Sequence, residues 1–269
     1  MENSARIKIK RNVRTIWISD VHLGFPGCSA SYLLDFIRDM RCENLYLVGD
    51  IIDFWSLRKK RYWPQEHNNV VRSILGKAKH DTNVIYVPGN HDEAMRAYDG
   101  LTLGNVKIRD QIVHEMVDGR RFLILHGDQF DSAVMHSKFV SLVGSFAYEV
   151  LLKANRVVNW ARGLMGRDYW SLAAFLKHKV KNAVKYIDRF ERAVAREAKT
   201  QGVDGLICGH IHRPELTELD GITYMNCGDW VESCTALVEH HDGTLELLKL
   251  SGEPQIVKRM PPKTMGMAA

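Results

Sequence analysis

Six times along this chain a short apolar run ends in a cluster of polar side chains. TIWIS leads into Asp20 and His22, LYLVG into Asp50 and Asp53, and VIYVPG into Asn90, His91 and Asp92. RFLIL leads into His126 and Asp128, GLICG into His210 and His212, and ITYMNCG into Asp229 and Trp230. The β-branched and aromatic enrichment predicts buried strands. Polar groups gathered past the carboxyl ends of strands predict a crevice on which loops converge. The middle of the chain has another period. Leu142, Phe146, Val150, Ala154, Val157, Ala161 and Leu164 recur at steps of three or four, as do Leu172, Phe175, Leu176, Lys179, Ala183, Ile187, Phe190 and Val194. These stripes predict amphipathic helices, with a hairpin turn at Gly163 to Arg167. The expected architecture is an α/β or α+β body carrying a helical cap insertion over about 131–200. No repeat of fixed period is visible.

Composition narrows the class. The 269 residues are 45% hydrophobic and 26% charged, which excludes disorder and collagen and suits one domain with an insertion. The longest apolar stretch, Phe139 to Leu152, contains Glu149 and is short of the roughly 18 residues of a membrane span. The basic N-terminus lacks the apolar core of a signal peptide. Five scattered cysteines, an odd number, fit a reduced cytoplasmic chain better than a disulfide scaffold. The net charge of +5 is unevenly placed: Met135 to Thr200 carries +8, leaving −3 for the rest.

Turn chemistry accounts for one polar cluster, since Asp, Asn and Gly favour turns, but six rich in metal-binding groups point to metal. The candidate ligands are Asp20, His22, Asp50, Asn90, His126, His210 and His212. Mixed imidazole and carboxylate donors suit first-row ions such as Mn, Fe, Co, Ni or Zn. Seven ligands exceed what one catalytic ion with an open position takes. They suit two ions with one bridging carboxylate, an arrangement that clamps a phosphoryl group during in-line displacement. If Asp20-x-His22 and His210-x-His212 are extended, both members of each pair point the same way.

The ordered blocks D-x-H, G-D-x-x-D, G-N-H-D, H-G-D and G-H-x-H resemble the signature of the calcineurin-like metallophosphoesterases over roughly residues 14–245. The resemblance implies an α+β fold, a four-layer α/β/β/α sandwich, with the whole chain as a single metallophosphoesterase domain. It assigns Asp20, His22 and His212 to one divalent ion, Asn90, His126 and His210 to a second, and Asp50 to both. It implies that His91 acts on the scissile phosphate as general acid or charge stabiliser, oriented by Asp92. Asp53 and Asp128 are either turn caps or acceptors for ligand imidazoles. His67, His80, His114, His136 and His178 lie outside the blocks and are expected at the surface; Cys208 and Cys227 are expected in the core.

A narrower resemblance is to the UDP-2,3-diacylglucosamine pyrophosphohydrolases of lipid A biosynthesis. It rests on the length, ISDVHLG, GDIIDFW and the helical cap between the HGD and GHIH blocks. It implies Mn as the metal, an amphipathic nucleotide-lipid substrate, and cleavage to UMP and 2,3-diacylglucosamine 1-phosphate. Phe54 and Trp55, after the bridging aspartate, and Trp160, Tyr169 and Trp170, near the cap turn, are the expected substrate contacts. The best-known members carry Arg after the ligand Asn, where this chain has His91. The alternatives are action on another phosphodiester or phosphomonoester, a nucleotide or phospholipid headgroup, and a non-enzymatic scaffold, whose mark would be lost ligands. Aromatic and basic residues in the cap suggest peripheral contact with the cytoplasmic face of the inner membrane. No nucleic-acid module is evident, and neither nucleic acid nor a protein partner is expected.

Overall fold

Alternation along three strands builds the layers. In β1 (Arg11–Ile18), Ile16 and Ile18 face one way and Trp17 the other; β2 (Met40–Val48) divides Leu45 and Leu47 from Tyr46 and Val48. In β3 (Asn83–Val87), Val84 and Tyr86 oppose Ile85 and Val87. The first set meets two amphipathic helices, through Leu33, Phe36 and Ile37 of α1 (Ala30–Asp39) and Val70, Ile74 and Ala78 of α3 (Gln65–Lys79). The second set meets another sheet. In this computed structural model the described residues are 11–131, 159, 162 and 181–263.

The first sheet has eight strands. Strands β1, β2, β3 and β5 (Val106–Ile108) run parallel, flanked by β4 (Thr102–Leu103) on one side. Antiparallel β11 (Thr235–Glu239), β12 (Leu245–Lys249) and β13 (Gln255–Met260) lie on the other. The second sheet places β7 (Arg121–Ile124), β8 (Gly205–Cys208) and β10 (Ile222–Asn226) parallel, between antiparallel β6 (Ile112–Glu115) and β9 (Glu215–Leu219). Phe122, Ile124, Ile207 and Met225 fill the space between the sheets. Leu123, Leu206, Cys208 and Tyr224 face outward, where Phe190, Val194 and Ala198 of α4 (Lys181–Thr200) cover them. The layers are helix, sheet, sheet and helix, the α+β sandwich expected.

All six polar clusters follow strands: three leave the first sheet after β1, β2 and β3, and three leave the second after β7, β8 and β10. Residues 181–200, expected within the cap, form the outer helix of the body. The helix and turn expected over the first stripe and 163–167, the start of the second stripe, His136, His178, Trp160, Tyr169 and Trp170 lie outside the described residues. Among the described residues, no helix is long and apolar enough to cross a membrane.

Two surface expectations are corrected. His67 is buried because it shares the apolar face of α3 with Val70, Ile74 and Ala78, and its Nδ1 accepts the N–H of Gly24 at 3.0 Å. His114 is buried between the sheets, 2.9 Å from the hydroxyl of Tyr46 and 3.4 Å from Oε2 of Glu239. Cys208 and Cys227 are core residues, and all five cysteines are free.

Candidate metal centre

Asp50 lies at the middle of the converging side chains. Its Oδ2 is 3.4 Å from Nε2 of His126, 3.9 Å from Nε2 of His22 and 4.0 Å from Nε2 of His91. Beside it, Oδ1 of Asp20 is 3.1 Å from Nε2 of His212, which is 3.4 Å from Nε2 of His22. Three sets of donors are each close enough to surround one ion: Asp20, His22 and His212; Asp20, Asp50 and His126; and His22, Asp50 and His91. His210 joins through its ring, packed edge-on against His126 with centroids 5.2 Å apart.

Each carboxylate divides its oxygens between backbone and centre. Asp50 Oδ1 accepts the N–H of His91 at 2.8 Å, leaving Oδ2 to the histidines. Asp20 Oδ2 accepts the N–H of His210 at 3.0 Å, leaving Oδ1 inward. Glycine makes both contacts possible. A Cβ on Gly89 would collide with Oδ1 of Asp50, and one on Gly209 with Oδ2 of Asp20. The imidazoles are aimed similarly. His126 donates from Nδ1 to the carbonyl of Val48 at 3.0 Å, and His22 places Nδ1 3.4 Å from Oδ2 of Asp53, so both turn Nε2 inward.

The backbone here is unusual. Asp20, His22, Asp50, His210 and His212 have φ between 51° and 69°, the left-handed region that L side chains seldom occupy. Such conformations persist where surroundings over-determine them, and they cluster at functional sites. The D-x-H and H-x-H pairs are therefore not extended, contrary to the reading of their spacing. Each chain turns sharply at its strand end, and that turn directs the donors inward.

The donor set fits divalent ions. Asp20 Oδ1, Asn90 Oδ1 and His126 Nε2 are buried atoms without a hydrogen bond among the described residues. Buried polar atoms are normally satisfied, so three orphans on three expected ligands mark places for a cation. Electrostatics agree. Burial disfavours charge on His22, yet Asp53, Asp50 and Asp20 outweigh it and raise its pKa to about 9. Burial likewise opposes charge on His126, but Asp50 and Asp20 raise it to about 10. Burial would raise Asp20, but His212 and His126 bring it down to about 2.

The acidic residues divide their work differently from expectation. Asp53, not Asp92, contacts His91: Oδ1 lies 3.0 Å from Nδ1. Asp53 also caps α2 (Phe54–Lys59) by accepting the N–H of Ser56 at 2.7 Å, so it is both turn cap and imidazole acceptor. Asp92 is completely buried and points back into its own loop. It accepts the N–H groups of Gly89 and Ile51 at 2.6 and 2.7 Å and the hydroxyl of Tyr86. It therefore fixes the loops of Asp50 and Asn90. Asp128 accepts from Arg96 at 2.7 Å, and among the described residues it makes no hydrogen bond to a ligand imidazole. Asp229 builds a turn by accepting the N–H groups of Val231 and Glu232, while Trp230 donates its N–H to the carbonyl of Asp20.

Trp55, 41% exposed, lies over His91 with ring centroids 4.1 Å apart, and Phe54 donates its N–H to the carbonyl of His91 at 3.2 Å. Asp131 was missed by sequence reasoning. It accepts from Nε2 of His210 and from the hydroxyl of Tyr186, both at 2.8 Å. Its sequence signal was masked by the neighbouring H-G-D block.

Two β-sheets whose strand ends gather acidic and imidazole donors around one carboxylate define a metal-dependent phosphoesterase. The calcineurin-like phosphoesterase pattern matches residues 13–214, and the chain belongs to that family. Among relatives, it is 27% identical to the UDP-2,3-diacylglucosamine hydrolase of Marinobacter nauticus, over 81% of this chain and 90% of that protein. It is 25% identical to the hydrolase of the same name from Neisseria meningitidis, over 88% of this chain and 94% of the relative. A phosphoesterase structure from E. coli superposes with a TM-score of 0.48 at 13% identity, covering 93% of this chain and 99% of that one.

Proposed function

We propose that this phosphoesterase hydrolyses the pyrophosphate of UDP-2,3-diacylglucosamine, giving UMP and 2,3-diacylglucosamine 1-phosphate. One observation carries the reading: Asp20, His22, His126 and His212 gather with Asp50 in a chain that matches enzymes of that name over most of both lengths. Asp20, His22 and His212 would hold one divalent ion, Asn90, His126 and His210 the other, and Asp50 both. The expected metal is Mn, with Zn, Fe, Co and Ni compatible with the donors. When bound, such ions supply Lewis-acid polarisation of the phosphoryl group and acidify the attacking water.

The protein's own groups do the rest. Asp53 holds His91 by Nδ1, and Nε2 faces Asp50. From there His91 can stabilise charge on a phosphoryl oxygen or deliver a proton to the leaving oxygen. Trp55 covers a face of the His91 ring and restricts water there. Phe54 and Trp55, with Trp160, Tyr169 and Trp170 of the insertion, would contact the nucleotide-lipid. The basic insertion would rest on the cytoplasmic face of the inner membrane, near the acyl chains.

One observation favours a second reading, cleavage of another phosphodiester or phosphomonoester. A phosphate leaving group, with a second pKa of about 6, departs without a proton. A positioned His91–Asp53 pair is worth more against an alkoxide. The test incubates the Mn-loaded protein with authentic UDP-2,3-diacylglucosamine in ¹⁸O-labelled water and follows ³¹P NMR, beside a glycerophosphodiester. Rapid UMP release with label at one phosphorus is expected; cleavage of the diester alone would transfer the assignment to the second reading.

A further inference from the structure

Helix α4 reaches the candidate centre at three places. Tyr186 donates its hydroxyl to Oδ1 of Asp131, the oxygen that also lies 2.8 Å from Nε2 of His210. Phe190, one turn on and fully buried, packs beside the His210 ring with centroids 6.1 Å apart. Glu191 accepts from Arg213, next to His212, at 3.0 Å.

The hydrogen-bond partners set the imidazoles oppositely. A neutral imidazole has one N–H and one lone pair, and a ligating histidine usually gives its N–H to a carboxylate or carbonyl. His22 and His126 place Nδ1 against Asp53 and Val48 and keep Nε2 for the centre. His210 places Nε2 against Asp131, so its lone pair is on Nδ1. We propose that Asp131, held by Tyr186 of α4, is a positioning residue that fixes His210 with its proton on Nε2 and presents Nδ1 to a divalent ion. The inference rests on the two-ion reading above. It makes one ion, the one shared by Asn90, His126 and His210, dependent on the helix that leaves the insertion.

The test titrates metal-free wild type, Asp131→Ala, Asp131→Glu and Tyr186→Phe with Mn(II) by calorimetry. Melting temperatures of the metal-free proteins are recorded alongside. Wild type takes up two ions. Asp131→Ala weakens one of them about 10–100-fold and leaves the other unchanged. Tyr186→Phe weakens the same ion less, and Asp131→Glu restores part of the loss. The Asp131 side chain is 43% exposed, so losing its two hydrogen bonds lowers the metal-free melting temperature only slightly. In the Zn-loaded wild type, ¹⁵N NMR places the His210 proton on Nε2. Equal affinities in wild type and Asp131→Ala would overturn the inference, as would equal weakening of both ions with a lower metal-free melting temperature. Fewer than two ions in wild type would remove the two-ion reading and this inference with it.

Discussion

Asp53 stands 3.0 Å from Nδ1 of His91, and that contact turns Nε2 of the ring toward Asp50. His91→Ala is expected to lower kcat about 10²–10⁴-fold on substrates with poor leaving groups, with both ions retained. Asp53→Asn loses part of that factor and also loosens His22. Steady-state kinetics with paired metal analysis separates the two; an unchanged kcat in His91→Ala would remove the proton-transfer role.

Asp50→Asn keeps an oxygen for the N–H of His91 but loses the charge facing three imidazoles. Turnover is expected to vanish and metal content to drop below two per chain, measured by plasma mass spectrometry. Near-normal activity in Mn would refute the shared-ligand role.

Gly89→Ala probes the close approach to Asp50. Its Cβ forces the carboxylate away by about 1 Å, and displacements of that size cost about 10²-fold in rate. Mn uptake is expected to weaken while the far-ultraviolet circular dichroism stays the same.

In the metal-free protein, His22 and His126 have pKa values raised to about 9 and about 10, from 6.5. A raised histidine pKa adds stability that is complete below pH 6.5 and disappears as pH climbs through the folded value. The stripped protein should therefore melt at lower temperature as pH rises through this window. Mn competes with the same protons, so its affinity should increase. Melts with and without chelator across the range test both statements, and a stripped protein that gains stability with pH would contradict them.

The net +8 between Met135 and Thr200 is expected to bring the protein to anionic vesicles at low salt and release it at high salt. Flotation measures this, and no binding at low salt would count against membrane contact.

The strands and their polar termini were legible because period-two alternation and ligand chemistry are local. Gly89 and Gly209 were visible in their blocks, but the reason for them, a carboxylate oxygen arriving from another strand, is spatial. The exchange of roles between Asp53 and Asp92 was hidden for the same reason. Asp92 adjoins His91 in sequence, yet its turn aims it at the backbone of its own loop. Asp131 and Tyr186 are 55 positions apart and meet only when α4 folds back across the second sheet. His67 was readable from its place on the stripe of Val70, Ile74 and Ala78.

The parentage of the donors has a mechanical consequence. Asp20, His22, Asp50 and Asn90 leave the first sheet, while His126, His210 and His212 leave the second. Each proposed ion therefore draws donors from both sheets and rivets the mouth of the sandwich. The coupling would also run in reverse: the spacing of two ions held this way would depend on how the seam containing Trp17, Ile85, Phe122 and Met225 packs. A substitution deep in that seam, touching neither metal nor substrate, would register first as a change in catalysis.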